Sequence, residues 1–174
     1  MGSFLFNRKK QIKIFLWGRG AGKTTILYKN ILHKQCSVSF VGWNVETTTI
    51  KNNLVTFSEL SGSGPKDFEK RNNYINESTD GVIYVIDSSM LDEDIICRNE
   101  FKNFMNIERI KQIPVAVFFH KQDIKEGRPS DEEIKKYYYF DEIPNNVNYK
   151  IFKTSSTTGE GIDEGLNWLL DNIK

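Results

Sequence analysis

A run of glycines followed by a lysine and two threonines is the segment of this sequence whose residue types best match a chemical task. It reads Gly18-Arg19-Gly20-Ala21-Gly22-Lys23-Thr24-Thr25. Glycines let backbone N–H groups point into a loop and bind phosphate, and a helix that starts there adds the positive end of its dipole. The lysine at this spacing reaches the β- and γ-phosphates, and the next hydroxyl ligates Mg²⁺. The run therefore predicts a phosphate-binding loop, with Lys23 on the phosphates and Thr24 on the metal.

The match to the phosphate-loop consensus G-x4-G-K-[ST] is imperfect. Counting back from Gly22, Trp17 stands at the first glycine position, and Gly18 comes one residue later. An ordinary glycine turn before a helix is the alternative. The context favours the phosphate loop, because a strand pattern leads into the run and a helix pattern leaves it.

A second candidate site follows the apolar run Val115–Phe119, where the chain continues His120-Lys121-Gln122-Asp123. This segment resembles the guanine-reading N-K-x-D motif of GTPases, with His120 in place of the asparagine. A carboxylate accepts hydrogen bonds from two donors on the guanine edge that adenine lacks, so Asp123 would favour guanine. On its own, Lys-Gln-Asp is a common surface tripeptide. At a strand end, in a chain that also has a phosphate loop, it indicates a base-binding loop.

Strands and helices alternate along the chain and must position these loops. Apolar and β-branched runs predict strands at Ile12–Trp17, Glu46–Ile50, Leu54–Leu60, Val82–Ile86, Val115–Phe119 and Asn148–Thr154. Amphipathic or capped stretches predict helices from Lys23 to about Lys34, over about Glu93–Ile110, from the capping box at Ser130, and over Ile162–Ile173.

The predicted order is β-α-β-β-α-β-α-β-α-β-α, which includes a helix between the third and fourth strands. It is typical of an α/β fold with a mostly parallel six-stranded sheet and helices on both faces. One antiparallel hairpin is expected to turn at Lys51-Asn52-Asn53. Ligands bind at the carboxyl ends of such strands, so the loops after Trp17, Leu60, Phe119 and Thr154 should share one site.

A family resemblance emerges from these segments and three others. The runs AGKTTILYK at residues 21–29 and GWNVET at 42–47 look like the ADP-ribosylation factor (Arf) family of small GTPases, which has G-F-N-V-E-T before its interswitch hairpin. KQD at 121–123 and EGLNWL at 164–169 continue the likeness in the same order. Thr154-Ser155-Ser156 falls where that family has its last guanine-contacting loop. The resemblance extends from about Ile12 to the C-terminus.

The resemblance implies a small GTPase domain of the P-loop NTPase fold over residues 12–174, which binds GTP and GDP with Mg²⁺. By matching positions it assigns nucleotide binding to Gly18, Gly20, Ala21, Gly22, Lys23, Thr24, Thr25, Gly62, His120, Lys121, Asp123, Ser155 and Ser156. It also implies effector proteins, an exchange factor and an activating protein as partners. The hairpin would couple the nucleotide state to membrane or effector contact, in vesicle trafficking or effector recruitment.

The departures from the family concern metal binding and hydrolysis. Phe40 aligns with the switch I threonine that completes the Mg²⁺ shell, and Ser39 or Ser37 would replace it only if the loop shifts. Glu59 stands for an aspartate and is one methylene longer. Ser63 stands for the glutamine that orients the attacking water and is too short to reach it. No catalytic residue is assigned, and we expect very slow GTP hydrolysis.

Two other functions are alternatives to the GTPase switch. One is a pseudo-GTPase scaffold, which keeps the fold without cycling. Trp17, Phe40, Glu59, Ser63 and His120 all favour it. The other is an ATP-using P-loop kinase, which is disfavoured because the base-reading motif and the Arf-like hairpin segment have no place in it.

Composition excludes several other classes. The chain has 174 residues, 39% hydrophobic and 27% charged, with 24 Lys+Arg against 23 Asp+Glu and a formal net charge of +1. Such a balance gives no reason to expect a nucleic-acid partner. The cysteines, Cys36 and Cys97, form no CxxC and predict neither a disulfide scaffold nor a zinc site. We expect one cytoplasmic, monomeric domain.

Residues 1–11 form an N-terminal segment with apolar residues followed by basic ones. Phe4, Leu5 and Phe6 precede a basic cluster at 8–10, a pattern suited to weak peripheral contact with an intracellular membrane. Gly2 resembles the Arf myristoylation site, but Phe6 stands where the acceptor pattern has Ser or Thr. A cloning remnant is the alternative origin of the first three residues.

Overall fold

The computed structural model describes residues 10–35, 42–61, 73–91 and 95–174. They form one six-stranded sheet of β1 (Gln11–Trp17), β2 (Gly42–Ile50), β3 (Asn53–Ser61), β4 (Gly81–Asp87), β5 (Val115–His120) and β6 (Tyr149–Lys153). The strand order is β2-β3-β1-β4-β5-β6. β2 and β3 are antiparallel, and every other neighbouring pair is parallel. The predicted sheet is confirmed.

The helices pack on both faces of this sheet. They are α1 (Lys23–Thr25), which continues as a π-helical segment over Ile26–Ile31, and α2 (Ile95–Met105), α3 (Asp131–Tyr137) and α4 (Ile162–Asn172). Short 3₁₀ turns cover Ile110–Gln112 and Phe140–Glu142. The helix expected between β3 and β4 falls on residues that include 62–72, which lie outside the described ranges.

Two helices are shorter than predicted. The π-helical segment begins to unwind after Ile31, where Leu32 N–H still donates to Leu27 O at 2.9 Å, and His33 takes a positive φ of 52°. The helix expected to reach Ile110 ends at Met105. The Asn106 side chain donates to Lys102 O at 2.9 Å and so satisfies a carbonyl of the last turn.

The hairpin is longer than predicted, with a tighter turn. β2 and β3 pair from Gly42↔Ser61 to Ile50↔Asn53, so only Lys51 and Asn52 form the turn. Both residues have positive φ, 47° and 65°, as a two-residue turn that matches the twist of its strands requires. The prediction missed residues 42–45 because Asn44 interrupts the apolar pattern.

A hydrophobic core lies on each face of the sheet. Along β1, Phe15 and Trp17 point to one side, where they pack with the α2 face, and Ile14 and Leu16 point to the other, where α1 and α4 lie. Because both faces are covered, β4 and β5 are apolar along almost their whole length. The carboxyl ends of the parallel strands are left for the loops that carry polar residues. No helix in the described part of the chain is long and apolar enough to cross a membrane.

Candidate functional site

The phosphate loop joins β1 to α1 and depends on glycine for its path. Gly18 has a φ of +120°, and a Cβ there would lie 2.1 Å from Val85 O on the neighbouring strand. Any other residue would clash with that backbone. Lys23 is buried, and its Nζ donates to Gly18 O at 2.5 Å, so the ammonium lies across the loop. Lys23 and the glycines thus lie together in the loop that the sequence predicts to bind phosphate.

Trp17, the departure from the phosphate-loop consensus, does not enter the loop. Its ring is buried, lies 5.2 Å from the Phe104 ring between centroids, and donates from Nε1 to Glu100 Oε1 at 2.9 Å. Trp17 ends β1 in extended conformation, so the backbone that needs glycine begins only at Gly18. The core therefore accommodates the substitution, and the loop keeps its shape.

A buried carboxylate lies beside the hydroxyl that the sequence assigns to the metal. Thr24 Oγ1 donates to Glu59 Oε2 at 3.1 Å, and Asn44 Nδ2 donates to Glu59 Oε1 at the same distance. The pairing of Asn44 with Glu59 across β2 and β3 sets this arrangement. Glu59 is fully buried, and within the described ranges no cationic side chain forms an ion pair with it.

The same network connects the helix after the loop to the hairpin. The Tyr28 hydroxyl donates to Glu46 Oε1 at 2.9 Å and approaches Asn44 Oδ1 at 3.3 Å. Lys34 forms a 3.0 Å ion pair with Glu46. The hydrogen bonds from Lys34 and Tyr28 hold the pKa of Glu46 below its usual range. The polar side chains of β2 are thus tied to the segment that follows the phosphate loop.

The loops after β5 and β6 meet around Asp123. Its carboxylate accepts hydrogen bonds from Ser155 Oγ at 2.6 Å and from Thr157 Oγ1 at 3.1 Å. The bond from Ser155, with a backbone N–H and Thr157, lowers the pKa of this exposed carboxyl group. Asp123 is therefore ionised at neutral pH and presents acceptor oxygens in a defined orientation.

Lys121 is tied to the end of β4. Its Nζ forms a 2.5 Å ion pair with Asp87, and its backbone φ is +67°. Burial raises the pKa of Asp87, but the hydrogen bonds from Lys121 and Ser89 outweigh it and keep that pKa low. The pair holds the lysine stem along the loop.

His120 is buried beneath the site. Its Nδ1 lies 2.9 Å from Thr154 Oγ1 and its Nε2 lies 2.8 Å from Ser156 Oγ. A Cβ added to Gly22 would come within 3.1 Å of the ring, so the imidazole packs against the phosphate loop. Burial lowers the pKa of His120 to about 4, so the ring is neutral at physiological pH. His120 therefore joins the loops of the two candidate motifs.

The structure brings most of the sequence-predicted site residues to one edge of the sheet. These are the phosphate loop, Thr24, His120, Lys121, Asp123, Ser155 and Ser156, at the carboxyl ends of β1, β5 and β6. The sequence predictions also concern residues that lie outside the described ranges, namely Gly2, Ser37, Ser39, Phe40, Gly62 and Ser63. Sequence reasoning missed the parts played by Asn44, Asp87 and Thr157. The Thr-Ser-Ser-Thr run and the asparagine in GWNVET were the available signals.

The donor atoms near Thr24 fit a hard cation that is shared with phosphates. Among the described residues, no group of three or more His, Cys, Asp or Glu side chains is arranged to hold a metal. Mg²⁺ is commonly bound through one or two protein oxygens together with substrate phosphates. The Thr24 hydroxyl and the Glu59 carboxylate are oxygens of that kind, 3.1 Å apart.

Comparisons with known proteins agree with this geometry. The sequence model of the ADP-ribosylation factor family matches residues 1–173. ADP-ribosylation factor-like protein 2 of Dictyostelium discoideum is 32% identical over 171 residues, which cover 97% of this chain and 91% of that protein. ADP-ribosylation factor-like protein 1 of Caenorhabditis elegans is 33% identical over 171 residues, with coverages of 98% and 93%.

A solved structure shows the same fold. The small GTPase Arl6 BBS3 of Trypanosoma brucei, with the bound nucleotide analogue GppNp, superposes with a TM-score of 0.76 at 24% identity. The match covers 93% of this chain and 96% of that one. Together with the phosphate loop and the base-binding motif, these relationships support a GTP-binding switch and do not favour a non-cycling scaffold. The chain belongs to the ADP-ribosylation factor family of small GTPases.

Proposed function

We propose that this protein is a molecular switch that binds GTP and GDP with Mg²⁺ and hydrolyses GTP very slowly. The observation that carries the proposal is the meeting of three loops at one sheet edge, with Lys23 across the phosphate loop and Asp123 held by Ser155. A cationic phosphate cradle and an anionic base acceptor at the same edge match the two ends of a guanine nucleotide.

Guanine selection would come from Asp123. Guanine presents two N–H donors on the edge that its carboxylate would face, and adenine does not. The hydroxyls of Ser155 and Thr157 orient the carboxylate without neutralising it. His120, with both ring nitrogens engaged, would act by positioning the loops rather than by contacting the base.

Phosphate and metal binding would come from the other end of the site. The backbone of residues 18–22 and Lys23 would hold the phosphates, and Thr24 with Glu59 would hold Mg²⁺. When bound, Mg²⁺ neutralises charge on the β- and γ-phosphate oxygens. A buried carboxylate without a cationic partner among the described residues supports a cation at this position.

Slow hydrolysis follows from the residue types at the catalytic positions. Phe40 offers no metal ligand, and Ser63 is too short to hold the attacking water. The fold alone carries no information on turnover, since a chain that binds GTP without hydrolysing it would still adopt this fold.

Partner and membrane contacts would follow the nucleotide state. Hydrogen bonds connect Thr24 to Glu59 and Glu59 to Asn44 of the hairpin. A metal ion bound at Thr24 and Glu59 would therefore alter the hydrogen bonding of β2. Effector and regulator proteins would bind differently to the two states of the hairpin. The apolar and basic residues 1–11, with or without a lipid on Gly2, would contact the cytoplasmic side of an intracellular membrane.

Thermal unfolding tests the nucleotide assignment. Millimolar GDP or GTP with Mg²⁺ should raise the melting temperature, because a ligand that binds only the folded state stabilises it by RT ln(1 + [L]/Kd). ADP and ATP should leave the melting temperature unchanged. Equal shifts with the adenine and guanine nucleotides would contradict the guanine assignment.

A further inference from the structure

Arg19 is an arginine inside the phosphate loop, with no partner in the described part of the chain. It is exposed, whereas its neighbours Gly18 and Ala21 are buried. Among the described residues it has no hydrogen bond, ion pair or ring contact. Within residues 10–35, 42–61, 73–91 and 95–174, no side chain or backbone group therefore holds the guanidinium of this loop residue.

Two acidic side chains that line a cavity together with Arg19 are already engaged. Asp87 and Glu100 line the same cavity as Arg19. Asp87 accepts from Lys121 at 2.5 Å, and Glu100 accepts from the Trp17 indole at 2.9 Å. Neither carboxylate forms an ion pair with the guanidinium. The positive charge of Arg19 is thus available to a ligand in the loop.

The position of Arg19 brings it close to the lysine that is expected to contact the β- and γ-phosphates. Lys23 Nζ lies 2.5 Å from Gly18 O, and that carbonyl is bonded to the nitrogen of Arg19. Standard bond lengths then put the Arg19 Cα within about 5 Å of the ammonium. An extended arginine side chain is longer than this separation. The Arg19 side chain is therefore long enough to extend to a phosphate bound beside Lys23.

We propose that Arg19 binds the γ-phosphate and makes this protein prefer GTP over GDP. The inference rests on the proposed nucleotide-binding function. The backbone N–H groups of a phosphate loop serve mainly the α- and β-phosphates, which leaves the terminal phosphate for an exposed side chain at the loop mouth. A guanidinium pairs with phosphate oxygens through two parallel N–H donors, which gives both charge and geometry. Such a contact would compensate for Phe40 and Ser63, whose side chains cannot serve the terminal phosphate as a threonine and a glutamine would.

Nucleotide titrations in Mg²⁺ test the proposal. The affinities of GDP and of a non-hydrolysable GTP analogue are measured by displacement of a fluorescent nucleotide, for wild type, Arg19→Gln and Arg19→Lys. Arg19→Gln should weaken the GTP analogue by about 10- to 100-fold and GDP by less than about twofold, since a charge-assisted bond to one phosphate is lost. The affinity of Arg19→Lys for the GTP analogue should lie between those of wild type and Arg19→Gln. Lysine keeps the positive charge but lacks the two parallel N–H donors of the guanidinium.

Lys29→Gln is the matched control. Lys29 is another exposed cation, on the helical segment after the loop, and its removal should change both affinities equally and slightly. Binding of both nucleotides by wild type with an unchanged affinity ratio in Arg19→Gln would overturn this inference alone. Equal weakening of GDP and the analogue would overturn it as well. If wild type binds neither nucleotide, the result contradicts both the proposed function and this inference.

Discussion

At the guanine end of the site, side chains bond to side chains, whereas at the phosphate end the backbone supplies most of the geometry. The Asp123 carboxylate and the His120 ring each engage two hydroxyl groups from residues 154–157. The phosphate loop instead takes its shape from glycines in positive-φ conformations and from one lysine bonded to a backbone carbonyl. All of these side chains of the proposed base end lie within the described residues.

Because of this difference, we expect nucleotide binding and GTP hydrolysis to depend on different residues. The base end uses only residues of β5, β6 and their loops, which are far along the chain from the switch positions Phe40 and Ser63. The phosphate end needs further contributions for hydrolysis, and the positions that supply them in the family carry different residue types here. Substitutions at the two ends should therefore have separable effects.

The largest effect is expected at the phosphate end, from Lys23→Ala. Loss of the ammonium should weaken GDP and GTP by about 100-fold or more, because a charge-assisted contact is removed in a partly desolvated loop. The fold should remain, since little core volume is lost. Fluorescent-nucleotide titration gives the affinity, and the melting temperature without nucleotide checks the fold. Lys29→Ala, at an exposed lysine, is the control, and unchanged affinity in Lys23→Ala would mean that the loop is only a turn.

At the base end, Asp123→Asn should change which base is bound. An amide donates where the carboxylate accepts, so guanine loses a partner, and xanthine, with an oxygen in place of the amino group, gains one. We expect guanine nucleotides to weaken by about 10- to 100-fold and xanthine nucleotides to strengthen. Melting-temperature shifts with GDP and xanthosine diphosphate measure the change. Glu126→Gln, at an exposed acidic residue of the same loop, should leave the preference unaltered, and a common loss for both bases in Asp123→Asn would argue for a structural role.

A moderate effect, dependent on pH, is expected where the two ends meet at His120. Its pKa is about 4 in the folded protein and near 6.5 when unfolded, so the unfolded chain binds more protons between these values. The stability that neutral His120 contributes is fully present above about pH 6.5 and is lost as the pH falls towards 4.

The comparison of wild type with His120→Asn isolates this contribution. The difference in free energy of unfolding should shrink by something on the order of 2 kcal/mol between pH 7 and pH 4.5, as urea denaturation would measure. His33→Asn, at an exposed histidine outside the cluster, serves as the control. A parallel pH dependence for wild type and His120→Asn would show that the ring is not held neutral.

The smallest effect is expected from Ser63→Ala. Intrinsic hydrolysis should be on the order of 10⁻⁴ per second or slower, as for an unassisted small GTPase, and the substitution should leave it nearly unchanged. Single-turnover phosphate release from protein preloaded with GTP measures the rate. Thr24→Asn is the contrasting variant, since it should lower GTP affinity. A faster rate that Ser63→Ala sharply reduces would give this serine a catalytic part.

Elements that depend on local residue patterns could be predicted from the sequence. Period-2 and all-apolar runs predicted the six strands, because a strand covered on both faces must be apolar throughout. The capping box at Ser130 predicted the start of α3, where Ser130 Oγ and Glu133 bond reciprocally. The phosphate loop and the base motif were visible because their chemistry requires particular residue types at a particular spacing.

The way in which the fold accommodates the departures from the family depends on tertiary contacts. Trp17 stands at the first glycine position of the phosphate-loop consensus, and its ring is buried in the core against Phe104 and bonded to Glu100. The resemblance assigned His120 to nucleotide binding, and in the structure its ring is buried between the hydroxyls of Thr154 and Ser156. Contacts between residues far apart along the chain, such as Glu59 with Thr24, arise from strand register and packing. These contacts cannot be predicted from residue spacing, because they form only when distant segments meet at the sheet edge.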